Sequence, residues 1–213
     1  MYSTYIFDLD GTLLDTLEDL ANAVNYAMRK MNYPERSFGE VKSFIGDGMV
    51  KLIERSAPSG TDKTGLEKAL SFFREYYASH LTDCTKPYEG IAEVIAELKK
   101  RGKKLAVVSN KADENSNTVV RHFFGDSFDI IVGKRDSFPA KPQPDSVLYV
   151  IDSLGSRKEE CIFIGDSDID VKTAHNAGLP CIGVTWGNRS RQELADGGAE
   201  YIADVAEDIL HIK

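Results

Sequence analysis

Apolar positions along this chain of 213 residues follow two rhythms, and the change between them near residue 86 organises the rest of the reading. Over residues 16–82 they recur at helical spacing. Leu17, Leu20, Ala21, Val24, Ala27, Met28 and Met31 mark one face of a helix, with Pro34 beyond its end. Thr16-Leu17-Glu18-Asp19 has the form of a helix start, a hydroxyl residue answered by an acid three positions on. Two more helical patterns lie near 48–56 and 62–81, and in the second Leu66, Ala69, Leu70, Phe73, Tyr77 and Leu81 form one stripe. Such a stripe is expected to pack in a core, and no strand is predicted here.

Outside this stretch, short apolar runs alternate with helical patterns. Tyr5-Ile6-Phe7, Leu105-Ala106-Val107-Val108, Ile130-Ile131-Val132, Cys161-Ile162-Phe163-Ile164 and Cys181-Ile182-Gly183-Val184 read as strands. Helices are predicted near 91–98, 114–124, 144–154 and 169–177, with Tyr201-Ile202 as a short edge strand before a terminal helix. The first of these closes on Lys99, Lys100 and Arg101 with Gly102 after them, cations at the negative helix end and a residue free to turn. The strands lack polar alternation, as expected when both faces are covered. The predicted class is therefore α/β, a Rossmann-like parallel sheet with helices on both faces. Residues 1–15 and 83–213 form this core, and an all-helical domain, 16–82, is inserted after the first strand.

Composition narrows the function classes. A net charge of −8 argues against non-specific nucleic-acid binding, which needs a basic face. No apolar run approaches the ~20 residues of a membrane span, and the N-terminus lacks a basic segment followed by an apolar one. Cys84, Cys161 and Cys181 are odd in number and far apart, and read as thiols of a reducing compartment, with the cytoplasm as the expected location. The apolar stripes of the insertion can pack internally or against a partner, so the oligomeric state stays open.

The chemistry concentrates where strands end. Tyr5-Ile6-Phe7 runs into Asp8-Leu9-Asp10-Gly11-Thr12, and in a strand positions i and i+2 share a face. Two carboxylates so placed resist joint ionisation, and a divalent cation or a shared proton relieves the cost. The next strand ends in Ser109-Asn110-Lys111, the following one leads to Lys141 in Lys-Pro-Gln-Pro-Asp, and the fourth ends in Gly165-Asp166-Ser167-Asp168-Ile169-Asp170. Open α/β sheets gather their ligand sites at these C-terminal strand ends. Ser109 and Asp113 are also candidate helix caps, and Asn188, Arg189 and Arg191 read as a solvated helix start. His80, His122, His175 and His211 have no mutual ligand spacing.

The chain resembles the haloacid dehalogenase superfamily of phosphatases, and within it the phosphoglycolate phosphatase-like members. Asp-Leu-Asp-Gly-Thr, the Ser109 strand end, Lys141 and Gly-Asp-Ser-x-x-Asp match its four motifs in order, and residues 16–82 stand where the C1-type helical cap is inserted. The resemblance implies Asp8 as nucleophile and Asp10 as general acid and base. It implies Mg²⁺ held by Asp8, the main-chain carbonyl of Asp10 and Asp166, with Asp170 reaching the metal through water or holding Lys141. Ser109, Asn110 and Lys141 would grip the phosphoryl group of a small phosphorylated metabolite. Glycines 46 and 48 of Phe44-Ile45-Gly46-Asp47-Gly48-Met49 would bring the cap backbone to the substrate, with Lys51 or Arg55 as possible carboxylate partners. Asp10 argues against dehalogenase and ion-pump chemistry, which lack the second carboxylate. A β-phosphoglucomutase-like sugar phosphomutase shares all four motifs, and a catalytically silent binding protein on the same fold is the alternative from another class.

Overall fold

Four buried residues, Thr4–Phe7, form β1, which a two-residue strand β2 (Leu14–Asp15) follows in the computed structural model, where residues 2–212 are described. Four helices come next: α1 (Leu17–Lys30), α2 (Phe38–Phe44), α3 (Met49–Ser56) and α4 (Lys63–Tyr77). Then β3 (Lys86–Pro87), α5 (Ile91–Lys100), β4 (Lys104–Ala112), α6 (Asp113–Phe124), β5 (Ile130–Lys134) and α7 (Asp145–Ser153) follow in order. The chain continues with β6 (Cys161–Gly165), α8 (Asp168–Ala177), β7 (Cys181–Val184), α9 (Arg191–Asp196) and β8 (Tyr201–Ala203). It divides into two units, Met1–Asp15 with Pro87–Lys213, and Thr16–Lys86.

In the first unit six strands lie in the order β5-β4-β1-β6-β7-β8, and every pairing is parallel. β1 is central, with Phe7 beside Val107 on one side and Ile164 on the other. The strand order reverses at β1, so the crevice beyond the ends of β1, β4 and β6 is the switch point of the sheet. Ile6, Val108, Val132, Phe163 and Cys181 from the strands pack with Val147, Val150, Val171, Ala174 and Leu194 from the helices. This is the packing that apolar strands without polar alternation require. The terminal helix of the sequence reading is a short 3₁₀ turn, Ala206–Leu210, started by Asp208, which accepts from the backbone N–H groups of Asp204 and Val205 at 2.9 and 3.1 Å.

β4 extends beyond the predicted run to Ala112, so Ser109, Asn110 and Lys111 are strand residues and α6 begins only at Asp113. Ser109 is thus not a helix cap. The register against β5 shifts between Val108 and Ala112, an irregularity of the kind that re-aims side chains at the end of a strand.

In the second unit α1 and α4 pack through Tyr26 and Tyr76, whose rings stack at 4.7 Å, above the buried Val24, Ala27, Met28, Phe73 and Tyr77. The expected cap at Thr16 is absent: its side chain makes no capping bond to α1. Asp19 is committed elsewhere. Its buried carboxylate accepts from the Cys84 N–H at 3.0 Å, the Thr85 N–H at 2.8 Å and the Thr85 hydroxyl at 2.7 Å. Residues 83–86 therefore belong with the helical unit, and the boundary falls four residues later than the sequence suggests. Asp19→Ala would strand these donors and is expected to lower stability by about 3 kcal/mol in urea unfolding, with Asp19→Asn recovering part of the loss.

Candidate active site

Asp8 follows β1 directly, and its N–H donates to the Ile164 carbonyl at 2.8 Å, which seats it beside the end of β6. Lys141 reaches it from the loop before α7: the ammonium lies 2.6 Å from Asp8 Oδ1 and 2.6 Å from Asp170 Oδ1. All three side chains are buried. The backbone of Lys141 is itself held, its N–H donating to Asn110 Oδ1 at 2.8 Å and its carbonyl accepting from Asn110 Nδ2 at 3.2 Å. Asn110, expected to bind substrate, thus places its amide against the Lys141 backbone.

Asp170 is the third residue of α8 and closes a capping box with Ser167, whose hydroxyl and N–H donate to Oδ2 at 2.6 and 3.1 Å. One carboxylate oxygen therefore starts the helix and the other holds Lys141. Gly165 makes room for it, since a Cβ there would meet Asp170 Cβ at 2.2 Å.

Asp166 accepts from the Asn188 N–H at 2.6 Å and the Asn188 amide at 2.8 Å on Oδ2, and from the Thr12 hydroxyl at 3.3 Å on Oδ1. Asn188 is therefore not a solvated helix start; α9 begins later, capped by Ser190. The loop after β7 is a fifth segment of the site, tied again where Trp186 Nε1 donates to the Thr12 carbonyl at 3.0 Å. Gly11, at φ +95°, and Gly187 let the loops close on Asp166, because a Cβ at either would lie 2.4 Å from an Asp166 atom.

Asp10 has its own cation. Lys111 Nζ lies 2.9 Å from Asp10 Oδ1, with the lysine side chain almost wholly buried. Ser109 is buried one strand away from Asp8, and its hydroxyl accepts from the Lys111 N–H at 3.2 Å. The unit thus brings together Asp8, Asp10, Ser109, Asn110, Lys141, Asp166 and Asp170. Gly46 and Gly48 lie in the other unit, at φ +127° and +83°, where Gly48 precedes α3. There Arg55 donates to the Phe44 carbonyl at 2.8 Å and to Asp47 at 2.5 Å, and Lys51 pairs with Glu54 at 2.6 Å.

Electrostatically the site is in deficit of positive charge. Four carboxylates, Asp8, Asp10, Asp166 and Asp170, meet two ammonium groups, Lys111 and Lys141. Burial, then the neighbouring Asp170, pushes the Asp8 carboxyl well above the usual carboxylate range, with Lys141 opposing. Burial and Asp170 likewise lift Asp166 to about 7 against the Asn188 hydrogen bonds. Burial alone would lower Lys141, but Asp170 and Asp8 outweigh it and hold the ammonium above the usual lysine range. Oxygens of Asp8, Asp166 and Asp170 lie within 4.8 Å of one another, an all-oxygen donor set that fits a hard divalent cation.

A parallel sheet with paired carboxylates and a lysine at its switch point defines an α/β enzyme suited to phosphoryl chemistry. The haloacid dehalogenase-like hydrolase family matches residues 5–184, and the chain belongs to that family. A phosphoglycolate phosphatase of Mannheimia succiniciproducens is 32% identical, covering 97% of this chain and 96% of its own. One from Aquifex aeolicus is 34% identical over 85% and 84% of the two chains. Among solved structures, a Lactobacillus delbrueckii subsp. bulgaricus chain superposes with a TM-score of 0.93 at 34% identity, covering 98% of this chain and 96% of that one. CbbY from Rhodobacter sphaeroides in complex with phosphate gives 0.74 at 26% identity over 96% and 94%. Among the described residues no helix is long and apolar enough to cross a membrane.

Proposed function

We propose that this chain, a phosphoric monoester hydrolase, cleaves a small phosphate ester such as 2-phosphoglycolate through an aspartyl-phosphate on Asp8, with Mg²⁺ as cofactor. The observation that carries the reading is the buried cluster of Asp8, Asp166 and Asp170 at the strand ends, with Lys141 paired to Asp8 and Asp170. The Asp8 carboxylate attacks phosphorus while the bond to the ester oxygen breaks, and Asp10 gives its proton to that leaving oxygen. Asp10 then takes a proton from the water whose oxygen displaces Asp8 from phosphorus, which returns the carboxylate and releases phosphate. Lys141 holds Asp8 in place and offsets charge gathering on the phosphoryl oxygens, with the Ser109 hydroxyl as a further donor.

Asp8, Asp166 and the Asp10 carbonyl would hold the cation, with Asp170 acting through water because Lys141 and Ser167 already occupy its oxygens. When bound, Mg²⁺ supplies Lewis-acid stabilisation of phosphoryl oxygens and neutralises the charge excess. Choice among esters is assigned to the helical unit, where Gly46 and Gly48 are the proposed backbone contacts. Arg55, already held by Phe44 and Asp47, shapes this loop. The choice of 2-phosphoglycolate as the example follows the names of the phosphoglycolate phosphatase relatives.

Phosphate release from 2-phosphoglycolate, sugar phosphates, nucleoside monophosphates and pyrophosphate, with Mg²⁺ and with EDTA, tests the reading. Metal-dependent release with one ester strongly preferred supports it. Interconversion of β-glucose 1-phosphate without release, or no turnover, overturns it.

Metal binding itself should depend on pH. Asp166 is lifted to about 7, so below that value it carries a proton that the cation must expel. The apparent Kd for Mg²⁺ is expected to rise as pH falls below ~7, approaching about tenfold per pH unit for this one proton, by calorimetric titration. A flat dependence between pH 5 and 7 (about two units) would sink that assignment of Asp166.

A further inference from the structure

Each carboxylate of the Asp8/Asp10 pair has its own ammonium, and only Lys141 has a role so far. Lys111 is 7% exposed, lies 101 positions from Asp10 in sequence, and places its ammonium 2.9 Å from Asp10 Oδ1. Its stem emerges from β4, whose residues 105–111 are all buried, so the ammonium is presented from a rigid element. A lysine buried in a parallel strand is rare without a dedicated anion, and here that anion is the residue assigned to proton transfer.

We propose that Lys111 is a positioning residue that aims the Asp10 carboxyl at the leaving-group oxygen. The inference rests on the acid-base role of Asp10 given above. The contact uses Oδ1, which leaves Oδ2 as the oxygen through which Asp10 acts. In this role Lys111 acts through Asp10 and does not itself supply the proton. It fixes the direction of a short side chain that follows the end of β1 and sits next to a glycine turn. A misaimed acid matters most when the leaving oxygen needs a proton most. Alkyl esters leave as strongly basic alkoxides, whereas p-nitrophenolate departs without protonation.

The test is the ratio of kcat/KM on the best alkyl phosphate of the panel to that on p-nitrophenyl phosphate. Both are measured on one preparation, so the folded fraction cancels. Lys111→Met keeps the stem and removes the charge. It is expected to lower the ratio by about 30-fold, through kcat rather than KM, and Asp10→Asn by about 100-fold or more. The double variant should give the Asp10→Asn ratio, since the two act as one unit. Equal losses on both esters in Lys111→Met, or losses that multiply in the double variant, overturn the proposal while leaving Asp10 as the acid. An unchanged ratio in Asp10→Asn overturns the acid-base reading itself, and the role of Lys111 falls with it.

Discussion

Asp8→Asn is expected to lose phosphate release by about 10⁴-fold or more at saturating ester and Mg²⁺, while remaining folded. The amide keeps the size of the carboxylate but has no anionic oxygen to form the bond to phosphorus, so no other group in the site replaces it. Ser109 is not a substitute nucleophile: its hydroxyl accepts from the Lys111 N–H at 3.2 Å, and among the described residues no histidine is hydrogen-bonded to it to activate it. The stability arm has a definite sign. A carboxyl raised in the folded state binds its proton more tightly there than in the unfolded chain. Its ionisation therefore costs stability progressively as pH rises from the unfolded value, near 4, through the folded one. At neutral pH and without metal, removing that charge relieves part of the excess, and Lys141 keeps Asp170 as partner. Thermal unfolding of metal-free Asp8→Asn should thus match or exceed the parent at pH 7, and any added Mg²⁺ should stabilise it less. Turnover within tenfold of the parent would remove Asp8 as nucleophile.

How much of this site the sequence discloses depends on how local each signal is. The Asp8/Asp10 pair is visible because both carboxylates lie two positions apart at the end of an apolar run. Asp166 and Asp170 are visible because a helical turn separates them. Lys141 is inconspicuous in its proline-rich loop and gains weight only beside the other three strand-end motifs. Asn188 and Lys111 escape, since their partners lie 22 and 101 positions away and only the fold brings them together. Lys111 left one trace: a cation at the end of a strand that shows no polar alternation needs a buried anion.

Local rules fail where a distant group competes for the same atom. Thr16-Leu17-Glu18-Asp19 reads as a helix start, but the backbone of Cys84 and Thr85 takes the Asp19 carboxylate. Conversely, α2 goes unread although Ser37-Phe38-Gly39-Glu40 announces it. Glu40 accepts from the Ser37 N–H at 2.8 Å and the Ser37 hydroxyl returns the bond to the Glu40 N–H at 3.3 Å. The helix is only seven residues long with Val41 its one buried residue, too short for an apolar stripe to show. The strands of the six-stranded sheet are legible because their apolar runs are covered on both faces, whereas the two-residue strands β2 and β3 are too short to show.

Lys141→Met should separate rate from stability. Its ammonium stands between two buried carboxylates at 2.6 Å each, so removing it leaves an anionic pair without a counter-charge. Breaking such a buried pair costs about 3–5 kcal/mol, more than replacing the whole set with apolar groups would. The loss should be largest in metal-free protein at high pH and shrink on acidification as Asp8 takes up its proton. Saturating Mg²⁺ should also offset it in part. Turnover is expected to fall about 10³-fold even where the variant is folded, because the charge opposing the phosphoryl oxygens is gone. Lys141→Arg distinguishes the two roles. A guanidinium restores the positive charge but presents a planar fork where the site holds one compact ammonium between two carboxylates. It should recover most of the stability in urea unfolding and little of the rate. Equal recovery of both would show that charge alone, and not the point at which Lys141 delivers it, serves the chemistry.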